Sequence, residues 1–410
     1  MILADASIKK IFKIMDNVNG EIRLVGGCVR DHILSRRAHD IDFATTLEPN
    51  DVMKVFTSCG IKVVPTGLKH GTITLIINGS GYEITTLRRD INCDGRWANI
   101  EFTNDWKEDA RRRDFTFNAM YIDSVGNIYD YFGGRQDLKN GRLCFVGNPA
   151  IRIAEDYLRI LRAFRFYSRF CSQPLDDGIK FAIRCAAENI NKLSGERICL
   201  ETMRILALKN ASIGFALMVS CDVFSYVFLS NSSSLVWLNM AEKMGFESNK
   251  DYALLKLALL LKENNINRMP LFSRWKMSNK EKSMVSFLLD NVELYSLDVL
   301  SDNLRRMIRK MGRDRYINLI KMACVVDIVC SIRNFINAKD IVYHIIARAE
   351  TEIIPQIPIS GNDLLKIGLH GKFIGLCMEK CWDVWEDSAY SLDKDRLLDV
   401  AVKYADDLSC

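Results

Sequence analysis

The chain has 410 residues, of which 49% are hydrophobic and 26% charged, a balance that excludes a disordered or fibrous protein. A chain of this length has room for roughly two to four domains with buried cores. The formal net charge of +5 is small, so any surface that binds nucleic acid must be local rather than global.

The N-terminal residues predict an amphipathic helix rather than a signal sequence. Ile8, Ile11, Phe12 and Met15 fall on one helical face, which we expect to pack on the first domain. The longest apolar run, residues 213–229, is too short to span a bilayer comfortably and contains Asp222, so it predicts a buried helix. We therefore expect a cytoplasmic protein that does not bind membranes.

The 13 cysteines are scattered without C-x-x-C pairs, and the five histidines show no zinc-ligand spacing. Cysteines such as Cys199, Cys324 and Cys330 have apolar neighbours in the sequence. This pattern is typical of buried, reduced thiols in a cytosolic protein.

A compact block near the N-terminus combines features of a phosphate-binding and metal-binding site. An apolar strand leads into Gly26-Gly27, a short helix with Arg30 follows, and a second strand carries Asp40 and Asp42. Glycines allow close approach of the backbone, and the N–H groups that open a helix attract phosphate. Strand residues i and i+2 share a face, so the two carboxylates are expected about 6–7 Å apart. Each feature by itself is more often a plain turn or a solvated strand face, but the ordered combination favours Mg²⁺ bound beside a phosphate.

The block resembles the signature of polymerase-β-like nucleotidyltransferases, in particular the class II tRNA nucleotidyltransferase and bacterial poly(A) polymerase family. The resemblance covers roughly residues 20–200, and residues 358–365 are similar to the family's tail. It implies an α+β fold: a catalytic head with a mixed sheet and helices, followed by an all-helical neck, body and tail. The sequence pattern agrees, since residues 73–77 and 82–86 predict a β-hairpin. After Pro149 the pattern becomes almost entirely helical.

Between the aspartates and residue 110, the sequence offers a third carboxylate and two indications of substrate. Glu83 is either a further metal ligand beside Asp40 and Asp42 or an ion-pair partner of Arg88, and both remain open. Residues 67–72, Gly-x-x-His-Gly-Thr, are similar to CCA-adding members of the family, whereas poly(A) polymerases typically show a basic Gly-Arg-Arg-Phe pattern. Residues 94–96 resemble the flexible loop of full CCA- or A-adding enzymes.

Residues 112–120 match the family motif RRDFT-x-NA. Arg113 can donate hydrogen bonds to triphosphate oxygens, and Asp114 can accept them from ribose hydroxyls. A helix start with surface charges would be the ordinary explanation of an isolated match. Residues 130–138 resemble a further short motif, whose glycines indicate a structural turn, and residues 194–198 resemble a structural part of the neck.

Residues 154–166 predict the element that selects the nucleotide. On a helix, Asp156, Arg159 and Arg162 lie at i, i+3 and i+6 and share one face. Cytosine and adenine both present an amino donor beside a ring-nitrogen acceptor, while uracil and guanine present the reverse order. A carboxylate that only accepts and a guanidinium that only donates can therefore accept C and A and reject U and G. The resemblance assigns base selection to Asp156 and Arg159, with Arg162 and Arg165 supporting the base or the triphosphate. The alternative is a salt-bridged amphipathic helix.

A basic stretch at residues 302–321 is a candidate for binding RNA phosphates. Its positive residues oppose only Asp302 and Asp314, giving a local net charge of +5 (seven positive minus two negative). The positive residues are Arg305, Arg306, Arg309, Lys310, Arg313, Arg315 and Lys321. A solvated helix face would explain the same pattern.

The resemblance implies template-independent addition of CCA to the tRNA 3′ end from CTP and ATP, with Mg²⁺ as cofactor and release of pyrophosphate. Asp40 and Asp42 would be catalytic metal ligands, and Gly26, Gly27 and Arg30 would bind phosphate. Alternatives are a poly(A) polymerase, a partial CC- or A-adding enzyme, or a non-catalytic RNA-binding protein. We expect a head over residues 1–145, a neck over 146–210, a body over 211–300 and a tail over 301–410. The sequence does not indicate the oligomeric state.

Overall fold

The computed structural model describes residues 2–38, 40–93, 98–246, 250–295 and 297–409. The chain divides into two compact units, Met1–Val285 and Ser286–Cys410. The first unit begins with a mixed sheet and continues as helices, and the second is helical. The α+β class predicted from the sequence is therefore confirmed. The division into head, neck, body and tail stays a prediction.

Seven strands of the first unit form one sheet in the order β3-β4-β5-β2-β1-β8-β9, in which only the β2–β5 pair is parallel. Two further strands, β6 and β7, form a separate antiparallel pair. The strands are β1 (Ile22–Val25), β2 (Asp42–Thr45), β3 (Lys62–Gly67), β4 (Thr72–Ile77), β5 (Ser80–Thr86), β6 (Arg88–Cys93), β7 (Ala98–Phe102), β8 (Met120–Ile122) and β9 (Ile128–Asp130). β1 and β2 are neighbours in the interior of this sheet, and β1 leads directly into the helix over Gly27–Ile33.

The helices of the first unit surround the sheet and then continue as a helical array. They are α1 (Ala6–Met15), α2 (Gly27–Ile33), α3 (Pro49–Ser58), α4 (Trp106–Arg111), α5 (Gly134–Lys139), α6 (Pro149–Glu155), α7 (Leu158–Phe170), α8 (Asp177–Ala186), α9 (Gly195–Leu206), α10 (Ala211–Ser220), α11 (Phe224–Phe228), α12 (Val236–Met244), α13 (Lys250–Glu263), α14 (Arg268–Trp275) and α15 (Asn279–Asn291), the last of which extends past Val285. Short 3₁₀ turns occupy Ile2–Ala4, Leu68–His70, Thr116–Asn118 and Ala187–Lys192.

Two local predictions are confirmed. The Asp5 carboxylate caps α1 by accepting from the backbone N–H groups of Ser7 and Ile8, and the predicted apolar face of that helix is buried. β4 and β5 form the predicted hairpin, joined by Asn78 and Gly79, which both have positive φ (52° and 78°). Two successive residues with positive φ give the turn whose twist suits a two-residue hairpin.

The apolar run at residues 213–229 is not one helix as predicted. It is divided between α10 and α11 by Asp222, whose φ is +58°. A helix cannot continue through a left-handed residue, so the chain turns there. Both short helices still bury most of their apolar side chains, including Phe215 and Phe228, although Ile213 is exposed.

The second unit contains α16 (Leu297–Asp302), α17 (Leu304–Met311), α18 (Arg313–Val329), α19 (Phe335–Thr351), α20 (Gly361–Lys366), α21 (Lys372–Asp387) and α22 (Lys394–Ser409). Ser360 opens α20 with a capping box that it forms with Asp363. Leu364, Cys377, Cys381, Trp385 and Leu397 belong to one buried cluster that joins α20, α21 and α22. Within the described ranges, no helix is long and apolar enough to cross a membrane.

The eleven cysteines whose side chains the structure describes are free thiols. Cys324 is buried, as predicted, and Cys199 is half-buried. Cys330 is exposed, contrary to the prediction, because it ends α18 rather than lying within it. Apolar neighbours in the sequence do not reveal which side of a helix end faces solvent.

Candidate active site

A cavity of about 740 Å³ in the first unit gathers most of the predicted site residues. Its wall is strongly charged, with arginines opposite aspartates. The lining residues that the sequence predicted are Gly26, Gly27, Arg30, Asp40, Asp42, Arg113, Asp114, Asp156, Arg159, Arg162 and Arg165. Residues separated by more than a hundred positions in the chain are therefore brought to one space.

Gly26 forms the sharp turn between β1 and α2, with φ 73° and ψ −123°. This conformation favours glycine, and the Arg113 guanidinium lies only 3.5 Å from the position of a Cβ on Gly26. The Gly26 N–H donates to the carbonyl of Met120, so this group holds β1 against β8 and is not free for phosphate. The glycine turn thus gives space to an arginine as well as to a ligand.

Arg30 lies in α2, is only 4% exposed and takes part in a buried network. Its guanidinium donates to Asp31 Oδ1 and, at 2.6 Å, to Asn118 Oδ1. Asn118 in turn donates to Asp114 Oδ1. Because these bonds occupy much of the guanidinium, Arg30 stabilises the cavity wall as well as contributing positive charge.

Asp40 and Asp42 both line the cavity, but only Asp42 lies in a strand. Asp40 is exposed and precedes β2, so the prediction that both residues belong to one strand is wrong. Asp42 is paired in register with Glu83 of β5. Adjacent residues in register on parallel strands project to the same face, so this carboxylate pair is set by the sheet.

Burial, followed by the charge of Glu83 and to a smaller extent that of Asp40, raises the pKa of Asp42 to about 6; Arg113 opposes this. The same three carboxylates line a smaller cavity of about 320 Å³ with Thr74 and Gly81. Acidic groups held together at a cost in repulsion are a typical setting for a divalent cation. Within the described part of the chain, however, no group of three or more His, Cys, Asp or Glu residues has metal-binding geometry.

Glu83 forms no ion pair among the described residues, so its predicted alternative as a partner of Arg88 is not found. Arg88 instead donates its backbone N–H to Asp109 and its guanidinium to the carbonyl of His70. Whether Glu83 binds a metal stays a prediction.

Arg113 and Asp114 each have a different ion-pair partner. Arg113 pairs with Asp109, a side chain only 1% exposed that also binds Arg112 and accepts from the Tyr121 hydroxyl. Burial would raise the pKa of Asp109, but the charges of Arg113 and Arg112 hold it well below its usual range. Arg113 Nε is buried without a hydrogen-bond partner among the described residues. Arg113 lines the cavity, but this nitrogen is enclosed within the cavity wall.

The Asp114 carboxylate is fully engaged by protein groups. Oδ1 accepts from the Phe115 N–H and from Asn118, and Oδ2 accepts from Arg162, with 2.7 Å to its Nε. Burial opposes ionisation of Asp114, but Arg162 and the hydrogen bonds lower its pKa. These bonds leave Asp114 better placed to hold Arg162 than to bind a ribose directly.

The helix predicted over residues 154–166 is broken at Asp156. α6 ends at Glu155, Asp156 has extended backbone angles (φ −154°, ψ 104°), and α7 starts at Leu158. The prediction that Asp156, Arg159 and Arg162 share one face of a single helix is therefore wrong. Asp156 Oδ1 accepts from the Leu158 N–H at 3.1 Å, which caps the first turn of α7.

The arginines of α7 project into the cavity from positions 159, 162 and 165. Arg159 is held by Glu155 and by the carbonyls of Arg152 and Arg112, three bonds in all. Since a guanidinium has five N–H donors, two remain for a ligand. Arg165 pairs with the buried Glu201 of α9.

The cavity is also lined by four charged residues that the sequence motifs did not indicate: Asp31, Arg169, Arg197 and Arg204. Arg197 is the most notable, because it pairs with Asp156 at 2.8 Å. Residues 194–198 were interpreted as structural, and Gly195 fits that interpretation: its Cβ would overlap the carbonyl oxygen of Arg274. The signal for Arg197 was its helical spacing from Arg204, which puts both side chains on nearly one face of α9.

Two other motifs have structural settings. Gly134 begins α5, where a Cβ would overlap the backbone of Thr116, and Asp130 accepts from the N–H groups of Gly134 and Arg135. The turn predicted for this motif is confirmed. The predicted loop at Asp94–Arg96 lies outside the described residues.

In the second unit, the basic residues of α17 are paired with acidic ones. Arg305 pairs with Glu352, Arg306 with Glu386 and Asp387, Arg309 with Glu379, Asp383 and Glu386, and Lys310 with Glu379 and Asp383. Arg313 donates to the carbonyls of Glu350 and Glu352. The excess charge counted along the sequence is thus largely offset by α21, and RNA binding by this surface stays a prediction.

Comparison with protein families gives two matches. The model described as "Poly A polymerase head domain" matches residues 22–144, and the model "Probable RNA and SrmB- binding site of polymerase A" matches residues 175–233. The first match covers all the strands of the sheet and includes Asp42, Arg113 and Asp114. The fold and the site therefore define the chain as a nucleotidyltransferase.

Individual relatives narrow this class. The chain is 36% identical over 399 residues to human CCA tRNA nucleotidyltransferase 1, mitochondrial, covering 95% of this chain and 88% of the relative. It is 30% identical over 371 residues to the CCA-adding enzyme of Staphylococcus haemolyticus, covering 88% and 87%. In fold it resembles the Bacillus stearothermophilus CCA-adding enzyme solved with CTP, with a TM-score of 0.75, 23% identity and 98% of each chain covered. The chain belongs to the family of CCA tRNA nucleotidyltransferases, the CCA-adding enzymes.

Proposed function

We propose that this protein adds C, C and A to the 3′ end of tRNA, using CTP and ATP and releasing pyrophosphate, without a nucleic-acid template. The observation that carries the proposal is the cavity that Asp40 and Asp42 share with Asp156 and with the arginines of α7, Arg159 among them. Carboxylates for a metal, arginines for phosphates and an acceptor–donor pair for a base are the three elements that the reaction needs.

Asp40 and Asp42 fit Mg²⁺ by the chemistry of their donor atoms. Mg²⁺ commonly takes one or two protein carboxylates and completes its shell with water and substrate phosphates. Burial, together with the charges of Glu83 and Asp40, raises the pKa of Asp42 to about 6; a bound cation would offset both effects, which supports the same assignment. When bound, the metal would activate the attacking hydroxyl and neutralise the leaving pyrophosphate. Asp40 and Asp42 would hold it, with Glu83 shaping the acidic face.

The triphosphate would be held by the arginine-rich wall. Arg113, held by Asp109, and Arg162, oriented by Asp114, are the two arginines that the contacts favour for this role. Guanidinium groups held by buried carboxylates are already oriented before the ligand arrives. Arg30, which also lines the cavity, would add positive charge while keeping its hydrogen bonds to Asp31 and Asn118.

The base would be selected by Asp156 and Arg159. The carboxylate accepts from the amino group of cytosine or adenine, and a remaining donor of Arg159 meets the adjacent ring nitrogen. Uracil and guanine would place an acceptor against the carboxylate and a donor against the guanidinium. Each such mismatch leaves a buried group unpaired and costs about 1–3 kcal/mol.

An incorporation assay tests the proposal. A tRNA that lacks its terminal CCA is incubated with Mg²⁺ and labelled CTP, ATP or both, and products are resolved at single-nucleotide length. We expect three added residues with both triphosphates and two with CTP alone. An open-ended A tail from ATP alone would instead establish a poly(A) polymerase, and use of only one triphosphate would establish a partial enzyme. Absence of any turnover with Mg²⁺ would leave RNA binding without catalysis.

For the compartment, we propose one with reducing conditions, in line with the eleven described free thiols and the cytoplasmic expectation. Relatives whose names include "mitochondrial" make the mitochondrion the specific alternative. Fractionation of cells that express the tagged protein distinguishes the two.

A further inference from the structure

The carboxylate of Asp156 is held on one side before any nucleotide binds. Oδ1 accepts from the Leu158 N–H and from Arg197 Nη2, both at 3.1 Å, and Oδ2 accepts from the same Arg197 nitrogen at 2.8 Å. Among the described residues, Oδ2 has no other donor. A carboxylate oxygen has room for two hydrogen bonds, so Oδ2 keeps one position open.

Arg197 comes from a different helix from the one that Asp156 precedes. It lies in the first turns of α9, lines the cavity, and has a side chain that is 27% exposed. Its second nitrogen, Nη1, is buried and has no hydrogen-bond partner in the part of the chain that the structure describes. Asp156 is therefore the hydrogen-bond acceptor that the described residues provide for the Arg197 guanidinium.

We infer that Arg197 is a specificity-determining residue that positions Asp156, so that the carboxylate presents one acceptor toward the base. The inference rests on the proposed role of Asp156 in base selection. With Arg197 in place, Oδ2 can meet only a group that donates at the amino position of cytosine or adenine. Without Arg197, only the Leu158 N–H restrains the carboxylate, which can turn toward the ring N–H of uracil or guanine.

The packing of α9 gives Arg197 a fixed position from which to act. Gly195, two residues earlier, is in contact with the backbone of Arg274, and no side chain fits between them. A neighbouring ion pair joins Glu196 of α9 to Lys276, the residue that follows α14; this pair is largely exposed and lies outside the cavity. Substitutions in the Arg197–Asp156 pair and in the Glu196–Lys276 pair can therefore be compared to distinguish an effect on base selection from a general disturbance of α9.

The test measures kcat/KM for CTP, ATP, UTP and GTP on tRNA lacking its CCA end, with the Arg197→Met and Arg197→Lys variants. We expect Arg197→Met to lower the preference for CTP over UTP, and for ATP over GTP, by at least about tenfold, the worth of one charge-assisted hydrogen bond. Arg197→Lys keeps a charge and hydrogen-bond donors, so its preference for CTP over UTP and for ATP over GTP should lie between those of the unmodified enzyme and Arg197→Met. In an Asp156→Ala background, Arg197→Met should not change the preference further, because the group that it positions is gone.

Two control variants define the alternatives. Lys276→Met removes the exposed neighbouring ion pair and should leave all preferences unchanged. Arg204→Met removes a cavity arginine that pairs with Glu201 rather than Asp156, so it should lower kcat/KM for all four triphosphates alike. An equal fall for all four in the Arg197 variants, or a further loss in the Asp156→Ala background, would overturn the inference. Should Arg197→Met fail to fold in a thermal melt, Arg197→Lys decides by the same criteria. Failure of the unmodified enzyme to incorporate CTP or ATP would instead reject the proposed function.

Discussion

Arginine–carboxylate pairs occur in both units of the molecule, but with different surroundings. In the first unit, the side chains of Asp109 and Asp114 are 1% and 8% exposed, and their arginines line a cavity. In the second unit, the side chains of Glu379 and Asp387 are 50% and 69% exposed, whereas the Arg309–Glu386 pair is buried. Buried pairs are costly to desolvate and stabilise a defined geometry, whereas exposed pairs contribute little stability and mainly lower the local charge. Similar residue pairs therefore organise a site in one unit and moderate a surface in the other.

The largest expected effect comes from the acidic end of the cavity. Replacing Asp40 or Asp42 with Ala should reduce nucleotide incorporation by at least about a thousandfold, roughly 4 kcal/mol of transition-state stabilisation, because the metal would lose a ligand. Single-turnover incorporation of labelled CTP measures the loss. The control is Asp51→Ala, which removes an exposed carboxylate paired with Lys54 in the same unit. Wild-type rates in either site variant would show that the metal assignment is wrong.

The second expected effect is on stability and tests the buried pairs. Asp109→Asn should lower the free energy of unfolding by about 3–5 kcal/mol, because Arg112 and Arg113 would lose a buried counter-charge. Chemical denaturation measures the change. The neighbouring Glu108→Gln breaks a more exposed pair with Arg111 and should cost less than about 1 kcal/mol. Similar effects for the two variants would remove the distinction between buried and exposed pairs.

Asp42 should oppose stability in the absence of metal. Its folded pKa, about 6, lies above the ordinary value of 3.8, so the folded state binds the proton more tightly than the unfolded state does. The resulting penalty is absent below about pH 4, grows as the pH rises towards 6 and is complete above it, at about 1–3 kcal/mol. With chelator present, Asp42→Asn should therefore be more stable than the unmodified protein at pH 7.5 and equally stable at pH 4. A variant that is less stable at pH 7.5 would contradict the penalty assigned to the burial of Asp42 and to its repulsion by Glu83 and Asp40.

The smallest expected effect concerns the surface of α17. Replacing Arg305 and Arg306 together with Gln should weaken tRNA binding by about tenfold or less, with a shallower dependence on salt. Filter binding over a range of salt concentrations measures both quantities. Lys394→Gln, which breaks an exposed pair with Asp363 in the same unit, is the matched control. Unchanged affinity and salt dependence would indicate that the ion pairs with α21 and Glu352 have neutralised this surface.

Local patterns predicted much of the fold. Alternating hydrophobicity and the Asn78–Gly79 turn were sufficient for the β4–β5 hairpin, and the apolar face of α1 was evident from its spacing. The glycine turn and the two aspartates were recognised because their chemistry is local to about 25 residues. The polarity of the cavity wall also followed from the motifs that surround it.

Several features that the sequence did not indicate depend on contacts between distant residues. Residues 154–166 contain no Gly or Pro, and the break at Asp156 is accompanied by hydrogen bonds from Leu158 and Arg197. The charge of α17 was counted along the chain, whereas its partners on α21 lie about 70–80 residues further on. Arg197 pairs with Asp156 across 41 positions, and no local pattern indicates such a pairing.

The contact between Gly195 and the carbonyl of Arg274 limits how this enzyme can be altered. Any larger residue at position 195 would force two backbones apart and displace α9, and with it the part of the cavity wall that carries Arg197. Attempts to accept bulkier nucleotide analogues by enlarging the pocket should therefore begin on the α7 side. Because this contact holds α9 in place, the side chains of α7 can be changed while the α9 side of the cavity keeps its position.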